Sequence, residues 1–139
     1  MRYNYSAQCS KKNLADIRNF MSKTLNNHFK SEIDIHHMVL AVDEVCANLM
    51  IHSHNCDPNK SIDLFVDVTK QEVIIEIQYT GNGFNIKNYQ EPTINEIIVE
   101  KKKGGLGLML VKRIMDKVEF IKSNNNNICR LKKKILTSK

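Results

Sequence analysis

Residues 43–52, DEVCANLMIH, place Glu44 and Asn48 four positions apart. On a helix such a pair shares a face, with Cβ atoms about 6 Å apart. The two groups have complementary chemistry. A carboxylate can take a proton from a hydroxyl, and a carboxamide oxygen is a hard ligand for a cation such as Mg²⁺. The same spacing occurs on many solvated helix faces, so the pair alone leaves both readings open.

Two glycine clusters follow. YTGNGF, residues 79–84, closes the apolar run EVIIEIQ, and Gly81 and Gly83 let a backbone turn sharply or approach a bulky ligand. KKKGGLGLMLVKRIMD, residues 101–116, opens a helix on Gly104, Gly105 and Gly107. Unpaired N–H groups at the positive end of a helix dipole make a phosphate site, and Lys101, Lys102 and Lys103 add positive charge just upstream.

Other reactive residues form weaker patterns. His52, His54 and Cys56, with Cys46 further back, are metal-ligand types, but an i, i+2 spacing does not converge on one helix face. His36 and His37 stand in a helix first turn with nothing around them that marks a phosphoacceptor. Met38, Met50, Met109 and Met115 fall at helical core spacing and read as packing. The four cysteines, Cys9, Cys46, Cys56 and Cys129, include no CxxC pair and suit free thiols in a reducing compartment.

These residues need elements to hold them. Residues 3–9 alternate as a short edge strand, and Ser10 caps a helix running to about Phe29 with Leu14, Ile17, Phe20, Met21 and Leu25 inward. Asp34 is expected to cap a second helix that reaches about His54, with Ile35, Val39, Val42, Cys46 and Leu49 inward. Strands at 61–68 and 72–79 form an antiparallel pair across a short turn. Residues 85–103, with Pro92, read as a long loop, a length that is usually functional. The glycine-opened helix turns Leu108, Val111, Ile114 and Met115 inward. A final hairpin turns at the asparagines 124–127, and LKKK at 131–134 reads as an edge strand guarded by lysine. The order β-α-α-β-β-loop-α-β-β specifies an α/β two-layer sandwich with helices on one face of the sheet.

The chain has 139 residues, enough for one domain with an ordinary core, here taken as 1–139. No apolar stretch approaches the ~20 residues of a membrane span, and the N-terminus lacks a signal-peptide core, so a cytoplasmic location and no membrane partner are expected. Net charge is +6 but lopsided, −3 over residues 1–99 and +9 over 100–139. Nucleic acid is a candidate partner for such a basic third, yet neither an aromatic stacking platform nor a recognition-helix signature accompanies it.

Taken in order, the E-x-x-x-N helix, the strand ending in G-x-G-F, the long loop and the G-G-L-G-L helix resemble the Bergerat ATP-binding fold. That superfamily includes gyrase, histidine kinases and the MutL proteins. The likeness is strongest to its short single-domain branch, the anti-sigma-factor serine/threonine kinases. LAVDEVCANLMIHSH resembles that branch's first box and GGLGLMLVKRIMDKVEF its second glycine box. The resemblance implies a mostly antiparallel sheet, bound ATP and Mg²⁺, and a lid at about 87–103. It implies that Glu44 is the catalytic base, that Asn48 holds Mg²⁺, and that Tyr79, Thr80, Gly81 and Gly83 line the adenine side. Gly105, Leu106, Gly107 and Leu108 would present backbone donors to the phosphates, and Lys103 and Gly104 join them among the implied cofactor-binding residues. The implied partners are an anti-sigma-factor antagonist protein and a sigma factor, and a homodimer is compatible. One departure stands out: the family's middle box is D-x-G-x-G, and its Asp, which accepts from the adenine amino group, is Tyr79 here. The alternative is therefore a non-catalytic module that sequesters a partner on the same fold and has lost ATP binding.

Overall fold

The structure, a computed structural model, describes residues 1–8, 10–49, 61–80, 107–123 and 126–135. Strand β1 (Arg2–Gln8) leads into helices α1 (Lys11–Asn26) and α2 (Glu32–Asn48). Strands β2 (Ser61–Val68) and β3 (Glu72–Thr80) follow, then α3 (Gly107–Ile114), β4 (Lys117–Ser123) and β5 (Asn126–Lys134). The five strands form one sheet in the order β1-β2-β3-β5-β4, every neighbouring pair antiparallel.

Strict alternation builds the sheet's inner face. Ile62, Leu64, Val66 and Val68 of β2, Val73, Ile75, Ile77 and Tyr79 of β3, and Cys129 and Leu131 of β5 are all buried. Because successive strand residues point to opposite faces, all of them share the side that the helices cover. The apolar stripes of the helices complete this single core. Ile17, Met21 and Leu25 come from α1, Ile35, Met38, Val42, Val45 and Cys46 from α2, and Val111 from α3. The inward sets expected for the helices are largely those found, with Leu14, Phe20, Val39 and Ile114 half-buried at the margin.

The outer sheet face is polar. There the Arg130 Nε donates to Glu76 Oε2 at 2.9 Å, and the Arg2 guanidinium lies 5.2 Å from the centre of the Phe65 ring.

Four expectations need correction. Ser10 does cap α1, its hydroxyl accepting from the Lys12 N–H, but the helix ends at Asn26 rather than Phe29. The cap of α2 is Ser31, whose hydroxyl accepts from the Asp34 N–H at 3.2 Å; Asp34 itself sits in the first turn. A hydroxyl three residues upstream competes directly for the N–H groups of that turn, and Asp34 contributes its charge to the positive helix end instead. The basic run at 131–134 does not form an edge, since β5 lies between β3 and β4. Its lysines have structural partners: Lys132 Nζ lies 3.6 Å from Glu119 Oε1 of β4, and Lys133 Nζ donates to the Ile114 carbonyl of α3 at 2.9 Å. Finally, Asn126 and Asn127 belong to β5 rather than to the turn. The first strand does lie at an edge.

The expected lid at 87–103, the extension of α2 past Leu49, and His52, His54, Cys56 and Cys9 fall outside the described residues.

Candidate functional site

The last two turns of α2 carry Glu44 and Asn48, both half-buried. The Asn48 Nδ2 donates to the Glu44 main-chain carbonyl at 2.9 Å. A carbonyl oxygen can only accept, so this bond fixes which end of the carboxamide is which: the nitrogen faces the helix backbone and Oδ1 faces away. Oδ1, the atom that suits a hard cation, takes no part in this bond. Among the described residues no three His, Cys, Asp or Glu side chains gather into a ligand set.

Glu44 holds its proton more tightly than an ordinary carboxyl. Partial burial, which disfavours the charged form, is the larger cause, and the negative charge of neighbouring Asp43 is the second. A carboxylate shifted this way is a stronger base. Asp43 is itself held by Arg18 of α1, with Nη1 to Oδ1 at 2.9 Å.

The second candidate stretch ends β3. Tyr79 is only 4% exposed and belongs to the same core cluster as Leu49, the residue after Asn48, and Val111 of α3. Its register partners are Ile62 on β2 and Asn127 on β5. Position 79 therefore sits in the layer between sheet and helices, at the end of the strand where the glycines follow. Asn127 is a residue that sequence reasoning missed. It is one of two buried polar side chains among the described residues and lies directly across from Tyr79 on the same inner face. The odd-numbered alternation Asn127, Cys129, Leu131 is the signal that could have found it.

The third stretch is the start of α3, at Gly107. Helix α2 packs against α3 as well as α1, so the helix with Glu44 and Asn48 neighbours the one that the glycine box opens. Of the remaining candidates, Gly81, Gly83, Lys101, Lys102, Lys103, Gly104, Gly105 and Leu106, with the side chains of Thr80 and Leu108, lie outside the described residues. Cys46 and Cys129 are buried thiols whose desolvation pushes their pKa values upward, leaving them unreactive packing groups.

The pattern of a histidine kinase-like ATPase domain matches residues 7–133, nearly the whole chain. The chain belongs to the histidine kinase-like ATPase domain family. Its relatives include an anti-sigma F factor of Clostridium perfringens, 27% identical over 99 residues that span 70% of each chain. A serine-protein kinase RsbW of Bacillus velezensis is 33% identical over 99 residues, 66% of this chain and 59% of the kinase. The match thus spans little more than half the length of that kinase. Among solved structures, the RsbU and RsbW domains of Rv1364c from Mycobacterium tuberculosis superpose with a TM-score of 0.67 at 10% identity, over 96% of this chain and 32% of that one. This likeness supports the fold, the five-stranded antiparallel sheet with its helices. No described helix is long and apolar enough to cross a membrane.

Proposed function

We propose that this domain is an anti-sigma-type regulator that binds Mg-ATP and phosphorylates a serine or threonine on an antagonist protein. The observation that carries the reading is the α2 pair: a carboxyl with raised proton affinity one turn from a carboxamide whose nitrogen, not its oxygen, is engaged by the helix backbone. In this reading Asn48 Oδ1 holds the cation beside the phosphates. Glu44 accepts the proton of the substrate hydroxyl as that oxygen attacks. ATP supplies the transferable phosphoryl group. The backbone at the start of α3 lies on the neighbouring helix, suited to receive phosphate oxygens. The anti-sigma and serine-kinase names of the relatives supply the partner classes, a sigma factor and its antagonist.

One observation favours a second reading. Tyr79 is packed into the core at the position where the resemblance expects an adenine-reading Asp. A ring that occupies that space obstructs the base, and the domain would then hold a sigma-type partner without nucleotide. Calorimetric titration with Mg-ATP, followed by a phosphotransfer assay on a candidate antagonist, separates the two. The kinase reading requires Mg-dependent binding that Asn48→Ala abolishes and transfer that Glu44→Gln abolishes. No heat at millimolar ATP, with a partner still captured, means that the module is non-catalytic.

A further inference from the structure

We infer that the outer face of the sheet is a self-association surface, on which a second copy of this chain docks face to face about a two-fold axis running along β3. The inference stands apart from the kinase reading, and neither falls with the other.

Strand register lays the outward side chains out as a grid. One row reads Arg2, Asp67, Ile74, Lys132 and Lys117 across the order β1-β2-β3-β5-β4, and the next reads Asn4, Phe65, Glu76, Arg130 and Glu119. Helices α1, α2 and α3 build the core on the inner face, so among the described residues nothing covers this one. Its charges are segregated. Strands β1, β2 and β3 present Arg2 against Asp63, Asp67, Glu72 and Glu76, a net of −3. Strands β5 and β4 present Arg130, Lys132, Lys134 and Lys117 against Glu119, a net of +3. Contacts within the chain do not cancel the difference. Glu119 is shared between Lys117 at 3.9 Å and Lys132 at 3.6 Å, and among the described residues Asp63 has no ion pair. The face as a whole is neutral, which disfavours nucleic acid or an anionic lipid surface, since both call for one sign. Equal and opposite halves on one surface fit a second copy of that surface.

The charges also select the symmetry. A two-fold axis along the strands sets β2 over β5 of the second copy and β3 over β3. One across the strands would set β2 on β2 and β5 on β5, like charge on like. The first arrangement brings Asp67 to Lys132 of the second copy and Phe65 to its Arg130, twice over, and Ile74 meets Ile74 at the axis. Glu76 also meets its equivalent there, but each is already held by its own Arg130 at 2.9 Å. Arg2 meets Lys117 only at the exposed rim, where like charges are screened. Phe65, Ile74, Ile121 and Ile128 interrupt the otherwise polar face, all half-buried, and a depression of about 250 Å³ opens beside Phe65. Five strands ~4.8 Å apart and about seven residues long span about 24 by 24 Å. Each copy thus covers ~600 Å², about 1,200 Å² in total, the lower end for specific interfaces, which points to a dimer that forms in the micromolar range.

The test is sedimentation velocity on the full chain from about 1 to 200 µM, with circular dichroism establishing that each variant is folded. Wild type should pass from monomer to dimer across that range, and its Kd should rise several-fold between ~50 and ~500 mM salt. Asp67→Lys and Lys132→Asp should each raise the Kd by about tenfold or more. Mixed in equal amounts, those two variants should recover a dimer, because the mixed pair regains opposite charges at both contacts. Ile74→Arg, which leaves every ion pair in place, should give a monomer on its own. A wild-type monomer at ~200 µM overturns the inference, and so does a dimer that the three substitutions leave intact. Charge variants that stay monomeric when mixed overturn it as well.

Discussion

Replacing Tyr79 by Asp, which restores the residue type of the family box, should destabilise the free protein and make it more dependent on nucleotide. The ring is 4% exposed and sits in the central cluster. A buried aromatic covers ~150–250 Å² of surface, worth about 4–6 kcal/mol at ~25 cal/mol per Å². Large-to-small aromatic substitutions in cores cost about 3–5 kcal/mol, in agreement with that area. The smaller carboxylate adds a desolvation penalty unless water or a ligand fills the vacated space. For a domain of this size about 1 kcal/mol corresponds to roughly 3–5 °C, so Tm should fall by ~10–20 °C. Differential scanning calorimetry with and without saturating Mg-ATP reads both effects. Ligand at ~100 times its Kd returns about 2.7 kcal/mol, so Mg-ATP should raise the Tm of Tyr79→Asp clearly more than that of wild type. Tyr79→Leu controls for the cavity without the charge and should lose stability without gaining that response. A Tyr79→Asp protein that melts within two or three degrees of wild type would mean that the ring does not fill the core. An equal Mg-ATP shift in both proteins would mean that the ring does not obstruct the base.

Three further outcomes follow from particular contacts. Ser31→Ala should cost about 1 kcal/mol in urea melts and Asp34→Ala less than half of that, because the hydroxyl makes the cap and Asp34 adds only its charge to the helix end; the reverse order would restore Asp34 as the cap. Lys133→Met should cost about 1 kcal/mol by removing the donor at the α3 carbonyl end, and exchange of the α3 amides should quicken more than that of α1. Glu44 binds its proton more tightly when folded than at its ordinary value of 4.5, so the folded protein gains stability as pH falls through the raised value. Glu44→Gln should therefore match or exceed wild-type stability at neutral pH, with the advantage shrinking as pH falls through the raised value and gone below the ordinary 4.5; a variant less stable than wild type at pH 7 contradicts the sign.

Much of this architecture was legible because single-face burial writes itself into strands with period two. SIDLFVDV and EVIIEIQY state their inner residues outright, and both strands appear where the alternation puts them. Helix ends were less legible. Serine and aspartate are both good caps, and SEIDI offers each in turn; the sequence does not say which group reaches the first-turn N–H groups. The lysine run misled for a related reason. An edge strand guarded by lysine and an inner strand whose lysines reach Glu119 and the end of α3 have the same local pattern, and only the partner strand distinguishes them.

The candidate site divides along the same line. Glu44 and Asn48 were found by helical spacing, an intrinsic property of one element, but their chemistry depends on a carbonyl bond and on a neighbour that spacing cannot express. Asn127 could not be found that way. Four consecutive asparagines look like a turn because each tolerates turn dihedrals, yet Asn127 is held in the ladder opposite Tyr79 and buried with it. A buried asparagine beside a buried tyrosine is costly unless its polar atoms are satisfied. These two side chains lie side by side at the end of β3, where the resemblance expects the adenine-reading Asp. Whether the pair displaces the base or receives it in a new way is the point on which the two functional readings divide.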